Sequence, residues 1–379
     1  MTIAAPGGEV PVIGIVGNEG AYGRWLTRFC REQLGLRVIG SDPASAESLT
    51  PRQLVLQSDV LVFSVPIRAT VRVIDTYVHA AAGAEAGKLW LDLTSIKQAP
   101  VEAMLRSRAE VVGLHPMAAP PKIECLKGRS LAVCAARLAR WRPWVEHLLE
   151  RLQADCIEID PQVHDRAMAL VQGLVHATHM GQAALLRELA PEIGGLATLL
   201  ALRTVGLDLD LTVTGRLLAG NPSIYEDIQF DNPHVLPMLQ RLCLALTRLR
   251  DEVARGDEAA RSAMREGFLQ ETATWFGPSE LAARSHAFER MGYLQADLRS
   301  RRFLSVYLPE DRPGSLRRVL EVFERLGVNL ESIHSSRNAD GELHFRFGLD
   351  RLPITLETLR DAVESAGMAR IVDAGDAMS

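Results

Sequence analysis

The first 42 residues hold the pattern that most restricts the fold of this chain. A short apolar run, PVIGIVG (11–17), predicts a buried strand, and the Gly-rich turn Gly17–Gly23 leads into a helical pattern, RWLTRFCREQLG. A second predicted strand, LRVIGSD, ends at Asp42. Strand, Gly-rich turn, helix, strand and acid in this order form the fingerprint of a dinucleotide-binding βαβ unit.

Each residue type in this fingerprint has a physical task. Gly20 lets the backbone approach the pyrophosphate, and Gly23 lets the helix pack closely on the strand. Asp42 can accept hydrogen bonds from ribose hydroxyls, which favours NAD over NADP. Asn18 stands where the strict motif has its first glycine; asparagine tolerates positive φ, so we expect the turn to survive. The alternative is a Gly-rich connection that binds nothing. The predicted cofactor-binding residues are Gly17, Asn18, Gly20, Ala21, Tyr22, Gly23, Asp42, Val65 and Pro66.

Strand and helix patterns continue to alternate up to Asp160. Apolar runs at 59–65, 88–93, 129–134 and 155–159 predict further strands, and helical periodicity fills 67–82 and the region around Trp141–Arg151. Val111 and Val112 predict the end of another buried strand, and Pro116 is expected to end any strand ladder there. About seven short strands alternating with helices predict an α/β fold with a Rossmann-type, doubly wound sheet.

Polar side chains stand at the carboxyl ends of two of these predicted strands. His115 follows the run EVVGL, and Ser95 and Lys97 follow KLWLDL. Ligands bind at this edge of open α/β sheets, and a histidine there can pass a proton near neutral pH. The alternatives are a His115 that merely caps a loop, a Ser95 that caps the helix from Lys97 onward, and a solvated Lys97.

The character of the chain changes after Asp160. Helical periodicity dominates from Pro161 to about Leu298, without a convincing strand. His176 and His179 share one helix face, but no HExxH motif is present, so we predict no metal site. Arg216 lies within an apolar helical pattern and needs an anionic partner, which is either an internal carboxylate or a substrate carboxylate. From Arg302 onward the pattern predicts a small βαββαβ domain.

Composition excludes several classes of protein. The net charge of −5 provides no basic footprint for nucleic acid. No apolar run approaches the roughly 20 residues of a membrane span. The N-terminus resembles no signal peptide, and the five cysteines are scattered and odd in number. These features predict a cytoplasmic protein with free thiols.

Six motifs together resemble the prephenate/arogenate dehydrogenase family, nearest the dehydrogenase part of the enterobacterial chorismate mutase–prephenate dehydrogenase. The resemblance covers roughly residues 10–300. Its motifs are the Gly-rich turn (17–23), SVPI (64–67), LDLTSIKQAPVEAML (91–105), GLHPM (113–117), HDRAMALVQGLVH (164–176) and GRLLAGNPSIYEDI (215–228). Residues 302–373 resemble an ACT domain, with the loop DRPGSL (311–316) and GVNL (327–330) as typical segments.

The resemblance implies an activity and a role for several residues. It implies NAD-dependent oxidative decarboxylation of prephenate, with His115 as general base and Arg216 as ligand of the ring carboxylate. Ser95 and Lys97 are implied to line the nicotinamide side, and His176 and Tyr225 to contact substrate. Ala118-Ala119 stand where the family commonly has Phe-Gly. Arogenate dehydrogenase and 4-amino-4-deoxyprephenate dehydrogenase therefore stay open, as does a non-catalytic ligand sensor.

Three domains are expected: an NAD-binding domain (10–160), an all-α substrate and dimerisation domain (161–299) and an ACT-like regulatory domain (302–375). Exposed apolar surface on the helices predicts a homodimer. The resemblance further implies an amino-acid effector, tyrosine first and phenylalanine second, unless the module serves only dimer packing. The implied effector residues are Asp311, Arg312, Pro313, Gly314, Ser315 and Asn329.

Overall fold

The computed structural model describes residues 4–45, 48–120, 125–299, 302–308, 312–337, 342–367 and 369–375. The chain packs as two compact units, residues 1–251 and 252–379. The three predicted domain boundaries stay predictions.

A seven-stranded sheet forms the first half of the first unit. Its spatial order is β2-β1-β3-β4-β5-β6-β7, and every neighbouring pair is parallel except β5 and β6. The strands are β1 (Ile13–Val16), β2 (Val38–Ser41), β3 (Val60–Phe63), β4 (Leu89–Asp92), β5 (Glu110–Pro116), β6 (Ser130–Arg137) and β7 (Asp155–Glu158). The predicted Rossmann-type sheet is therefore confirmed, with an antiparallel pair near one edge.

Helices cover both faces of this sheet. Val60 and Val62 of β3 belong to one apolar cluster, which contains Trp25 and Trp144, whereas the alternate residues of β3 belong to a second cluster. This division follows from the two-residue period of a strand. The helices are α1 (Ala21–Arg28, continued by a π-helical segment at Phe29–Gln33), α2 (Pro51–Gln57), α3 (Ile67–Ala81), α4 (Gln98–Leu105) and α5 (Arg142–Leu152).

The following region is helical throughout, as predicted. Asp160 caps its first helix by accepting from the N–H groups of Gln162 and Val163 at 2.8 and 3.0 Å. The helices are α6 (Pro161–Met168), α7 (Val175–Leu189), α8 (Leu196–Ala201), α9 (Val205–Ala219), α10 (Pro222–Asp231), α11 (Val235–Arg255), α12 (Glu258–Met264), α13 (Glu271–Phe276) and α14 (Pro278–Arg299), with π-helical segments at Ala169–Leu174 and Arg265–Gln270 and a 3₁₀ turn at Ala190–Ile193. Among the described residues, no helix combines the length and apolar content that crossing a bilayer requires.

The C-terminal part folds as the predicted βαββαβ unit. Its antiparallel sheet has the order β11-β8-β10-β9 and packs against two helices around Phe323 and Phe347. The elements are β8 (Phe303–Leu308), α15 (Ser315–Arg325), β9 (Leu330–Arg337), β10 (Leu343–Leu349), α16 (Leu356–Ser365) and β11 (Arg370–Gly375).

Candidate active site

The Gly-rich turn is shaped by steric constraints that only glycine satisfies. Gly17 has φ +84°, and a Cβ atom there would lie 2.2 Å from the Ser64 carbonyl oxygen. A Cβ atom at Gly23 would lie 2.0 Å from the Gly17 carbonyl oxygen. The turn forms with Asn18 in place, but Asn18 does not need its tolerance of positive φ, because Ala82 and Gln153 are the non-glycine residues with positive φ in the described chain. Gly17 supplies the left-handed conformation one residue earlier.

The turn leaves a site for phosphate at the start of α1. No side chain caps this helix at Gly20, so the first N–H groups, from Ala21 onward, point out of the helix without a partner within it. Free N–H groups and the positive end of the helix dipole favour an anion. The Asp42 carboxylate follows β2 and accepts from the N–H groups of Glu19 and Ala44 at 3.1 and 2.9 Å. The acid is therefore held against the Gly-rich turn, where the fingerprint requires it.

Val65 and Pro66 line the other side of this turn. A Cβ atom at Gly17 would lie 3.1 Å from Val65 Cγ1, and Pro66 is the N-terminal cap of α3. Tyr22, near the start of α1, instead donates its hydroxyl to the carbonyl oxygen of Ala118. Burial raises the pKa of Tyr22, which keeps the phenol protonated as a donor. The predicted cofactor residues thus gather around one turn, with Tyr22 reaching toward the loop after β5.

His115 lies where β5 extends beyond its parallel neighbour. β4 ends opposite Gly113, so Leu114, His115 and Pro116 pair with β6 on the other side. The expectation that Pro116 ends the strand ladder is wrong, because β5 continues through Pro116 opposite Leu131. The His115 side chain is 2% exposed. It therefore stands in a dry position past the carboxyl end of the parallel strands.

A second histidine and an aspartate fix the orientation of His115. His115 Nδ1 lies 2.9 Å from His164 Nε2, and His164 Nδ1 lies 2.8 Å from Asp165 Oδ1. An ionised Asp165 can only accept, so we assign the proton of His164 to Nδ1. His164 Nε2 must then accept from His115 Nδ1–H. This leaves a lone pair on His115 Nε2, which lies 3.3 Å from the amide nitrogen of Gln172.

The same aspartate caps a helix from another part of the chain. Asp165 accepts from the backbone N–H groups of Lys97 and Gln98 at 2.7 and 2.9 Å, at the start of α4. The proposed alternative for Ser95, a helix N-cap, is therefore wrong: the cap comes from α6. Ser95 lies half-buried in the loop between β4 and α4.

Lys97 is part of a buried ion pair. Its side chain is 0% exposed, and Nζ contacts the Asp92 carboxylate and donates to the Leu114 carbonyl oxygen at 2.8 Å. Thr94 donates its hydroxyl to Asp92 at 2.6 Å. Burial raises the pKa of the Asp92 carboxyl group, and the Lys97 amine opposes that rise. The alternative of a solvated lysine is wrong, and this amine also reaches no open surface from which it could line a pocket.

The surroundings of His115 keep its ring neutral. Burial, and then the positive charge of Lys97 and the neighbouring His164 ring, hold the pKa of His115 well below its usual value of 6.5. A neutral imidazole with one fixed tautomer can accept a proton at Nε2.

The predicted substrate residues form a second group on the helices. The rings of His176 and Tyr225 meet edge to face with their centroids 5.0 Å apart. Burial lowers the pKa of His176, with a smaller contribution from His179. Arg216 is exposed on α9 and forms no salt bridge among the described residues, so the alternative of an internal carboxylate partner is not observed. Two buried polar atoms in this region, Gln172 Oε1 and His176 Nδ1, have no hydrogen-bond partner in the described structure.

Sequence reasoning missed the role of four residues: His164, Asp165, Asp92 and Gln172. Two signals were present. An acid at the end of the apolar run KLWLDL, five residues before a lysine, indicates a buried pair. The second was the adjacent His-Asp at 164–165 within the motif HDRAMALVQGLVH, but no local pattern indicates that these side chains face His115.

The implied effector residues lie in the second unit. Gly314 has φ +92° and precedes α15, with open space around its Cβ position. The Ser315 hydroxyl lies 3.4 Å from the Arg312 amide, with Pro313 between them, and Asn329 is exposed just before β9. Asp311 lies outside the described residues.

Comparison with known proteins agrees with this geometry. Residues 44–128 match the nucleotide-binding domain of prephenate dehydrogenase, residues 160–268 match its dimerization domain, and residues 302–354 match the ACT domain. A dinucleotide-binding sheet, a buried histidine at its ligand edge and a following helical domain thus define a dehydrogenase fold. The chain belongs to the prephenate/arogenate dehydrogenase family and has a C-terminal ACT domain.

Individual relatives are distant. A probable arogenate/prephenate dehydrogenase of Methanocaldococcus jannaschii is 27% identical over 285 residues, which cover 70% of this chain and 61% of that protein. A 4-amino-4-deoxyprephenate dehydrogenase of Streptomyces pristinaespiralis is 28% identical over 270 residues, covering 66% of this chain and 87% of that protein. The crystal structure of Aquifex aeolicus prephenate dehydrogenase shares the fold, with a TM-score of 0.54 and 17% identity over 69% of this chain and 98% of that one.

The buried pair yields a first prediction. We expect Lys97→Met to lower the free energy of unfolding by about 3–5 kcal/mol, because it leaves the Asp92 charge buried without its cation. The double variant Asp92→Asn/Lys97→Met should recover much of this loss. Urea denaturation of the three proteins measures the effect, and a Lys97→Met variant as stable as the wild type would contradict it.

Proposed function

We propose that the protein catalyses the NAD-dependent oxidative decarboxylation of prephenate to 4-hydroxyphenylpyruvate, a step of tyrosine biosynthesis. Membership of the family supports the reaction type. The observation on which the proposal rests is the Asp165–His164–His115 arrangement, which leaves the His115 ring neutral with the lone pair of its Nε2 on the side away from His164, 3.3 Å from the Gln172 amide nitrogen. A base of this kind is what the C4 hydroxyl of a cyclohexadienyl ring requires.

His115 acts as the general base. Its Nε2 accepts the proton of the C4 hydroxyl while the C4–H bond breaks, and the hydride would pass to bound NAD. The ring carboxylate leaves as CO2. The electrons of the broken C–C bond enter the ring and make it aromatic, which drives the step. His164 and Asp165 are positioning residues, since they fix the tautomer of His115 without contacting substrate. Lys97 raises the cost of protonating His115 through its charge.

Arg216 binds the ring carboxylate in this proposal. It is exposed and has no described salt bridge, and a guanidinium group can hold a carboxylate through two parallel hydrogen bonds. His176 and Tyr225 contact the substrate beside it, where the orphaned His176 Nδ1 offers hydrogen-bonding capacity. Ser95 contributes from the loop after β4, on the nicotinamide side.

The residues around the Gly-rich turn fit NAD. A Cβ atom at Gly20 would lie 3.2 Å from the Gly17 carbonyl oxygen, so a glycine here leaves room for a ligand to approach the backbone. The start of α1 has no side-chain cap and suits a pyrophosphate. Each Asp42 oxygen accepts one backbone hydrogen bond and keeps capacity for a ribose hydroxyl. NAD, when bound, supplies the hydride acceptor for the reaction.

Two related substrates are the alternatives. Ala118-Ala119 follow the His115 strand, and the Tyr22 hydroxyl is directed at the Ala118 carbonyl oxygen, so this wall of the site is built from small side chains and a phenol. The relative from Streptomyces pristinaespiralis, named for 4-amino-4-deoxyprephenate, makes the amino analogue the second candidate and arogenate the third. A ligand sensor without turnover is the alternative of another class.

We also propose that the protein is a homodimer formed through the helical domain. Residues 160–268 match a dimerization domain. Large apolar side chains of these helices are exposed, including Leu202 at 77%, Phe230 at 87% and Leu236 at 65%. Apolar surface of this kind is typical of an interface, and two-fold closure is the commonest arrangement.

The ACT domain is proposed to bind an amino-acid effector, tyrosine before phenylalanine. The open space around Gly314 and the free N–H groups at the start of α15 suit a carboxylate. Asn329 lies exposed at the start of β9, where it can contact such a ligand, with Arg312, Pro313 and Ser315 in the loop itself.

A substrate assay tests the proposed function. NADH formation should be greatest with prephenate when prephenate, arogenate and 4-amino-4-deoxyprephenate are compared at equal concentration by absorbance. Family membership does not determine which side chain and which C4 substituent the substrate carries. The deciding quantity is therefore the ratio of the kcat/KM values for the three compounds. A preference for the amino analogue would replace the proposed substrate, and no turnover with any of the three would favour the sensor.

His115 provides a second test. His115→Asn should lower kcat by about 10²–10⁴-fold, the usual contribution of a general base, while the affinity for NAD stays nearly unchanged. Since Nε2 must be unprotonated, wild-type activity falls only as the pH falls through the lowered pKa. The acid limb of kcat/KM should therefore lie well below pH 6.5, and not near the ordinary histidine value that the sequence alone suggests. A limb at or above pH 6.5, or loss of NAD affinity in His115→Asn, would contradict this role.

Truncation tests the effector. If tyrosine acts at the ACT domain, its inhibition should be non-competitive with substrate and should disappear when residues from 300 onward are removed, while catalysis survives. Gly314→Leu should desensitise the full-length enzyme without changing kcat, because coupling requires differential binding at that loop. A truncated enzyme that tyrosine still inhibits would place the effector in the active site instead.

A further inference from the structure

Helix α10 is fastened to the cofactor domain by one buried carboxylate. Asp227 is 3% exposed, and its Oδ2 accepts from the Arg68 backbone N–H at 3.1 Å while its Oδ1 contacts the Arg68 guanidinium group. Glu226 accepts from the same guanidinium group at 2.7 Å, but its side chain is 54% exposed. A surface ion pair contributes little, whereas a buried carboxylate depends on its donors. Of the two carboxylates that contact Arg68, Asp227 therefore contributes more to the attachment of α10 to α3.

The other end of this contact lies beside the Gly-rich turn. Arg68 is in the first turn of α3, two residues after Pro66, which is the N-terminal cap of that helix. Ser64 and Val65 are the residues that a Cβ atom at Gly17 would meet, at 2.2 and 3.1 Å. Asp227 therefore caps the helix whose preceding loop forms one wall of the cofactor turn.

Helix α10 also reaches the substrate side at two points. Tyr225 packs edge to face on His176 with ring centroids 5.0 Å apart. Gln229 donates to the Gly173 carbonyl oxygen at 2.9 Å, and the preceding residue, Gln172, lies 3.3 Å from His115 Nε2. Both contacts join α10 to side chains on or beside the proposed substrate site.

We propose that Asp227 is a positioning residue that couples the cofactor side of the site to the substrate side. Cofactor bound at the Gly-rich turn orders the start of α3, and the contact between Asp227 and Arg68 then restrains α10. Helix α10 in turn holds Tyr225 and Gln172 in place. The proposal deepens the proposed function and rests on it for the cofactor and the substrate side. Physically, it requires that α10 is more firmly held when the loop at Val65–Pro66 is ordered by a ligand, which is a coupling free energy between sites.

Hydrogen–deuterium exchange of the full-length protein tests this coupling without requiring turnover. Peptides that cover α10 are followed by mass spectrometry with and without saturating NAD, and NAD affinity is measured by fluorescence titration. In the wild type, NAD should slow exchange in α10 by about five-fold or more, the low end of usual coupling between sites. In Asp227→Asn the ratio of the exchange rates without and with NAD should approach one. In Arg68→Gln, which removes the guanidinium contact but keeps the backbone N–H donor, this ratio should fall below the wild-type value, while in both variants the affinity for NAD changes little.

Two matched variants serve as controls. Glu226→Gln removes the exposed partner of the same arginine, and Arg106→Gln breaks an exposed Arg–Asp pair between Arg106 and Asp75 of α3. Both should keep the wild-type ratio. If Asp227→Asn does not fold, Arg68→Gln alone decides, since its guanidinium group is half exposed and its backbone N–H remains.

The outcomes separate this proposal from the proposed function. If Asp227 only stabilises the fold, Asp227→Asn would exchange faster in α10 both with and without NAD. The ratio of the two exchange rates would then equal that of the wild type, which would overturn the proposal. The proposal would also be overturned if NAD did not change the exchange rate of α10 in the wild type. If the fluorescence titration showed no NAD binding, both the cofactor assignment and this proposal would be overturned. If NAD slowed exchange in α10 as expected but no substrate were turned over, only the proposed activity would be overturned.

Discussion

The buried carboxylate of Asp165 is the interaction on which the rest of the site depends. It receives N–H donors from Lys97, Gln98 and His164, which come from two separate segments of the chain. These donors satisfy the oxygens of a carboxylate that is 0% exposed and would otherwise be buried without partners. Its charge in turn determines which nitrogen of His164 holds a proton. One side chain therefore fastens α4 to α6 and sets the acceptor of His115.

The site combines two buried anions with one buried cation and a neutral histidine. Asp92 and Lys97 pair directly, while Asp165 is satisfied by N–H groups. The positive charge of Lys97 lies close to His115 and disfavours a second positive charge on the imidazole ring. Burial and charge placement together thus keep the His115 ring neutral in a dry position. Desolvation alone would leave the tautomer of the ring undetermined.

The link between the sheet and the helices follows the same principle. Asp165 and Asp227 each cap the start of a helix of the cofactor domain, α4 and α3, from a helix of the following domain. Both helices start at the ligand edge of the sheet, directly after β4 and β3. Carboxylates at helix N-termini are favourable because the N–H groups there have no partner within the helix. The helical domain is therefore attached at the ligand edge of the sheet.

Much of this protein follows from local sequence. The Gly-rich turn with Gly17 and Gly23, the strands of the sheet, His115 near a strand end and the βαββαβ unit depend on period and on steric constraints that act within a few residues. The tertiary structure alone decided the tautomer of His115, the burial of Lys97 and the capping of α4. His164 is 49 residues from His115, Asp165 is 68 from Lys97, and Asp227 is 159 from Arg68. Such pairings depend on how α6 and α10 pack against the end of the sheet, and no local pattern of residues specifies that packing.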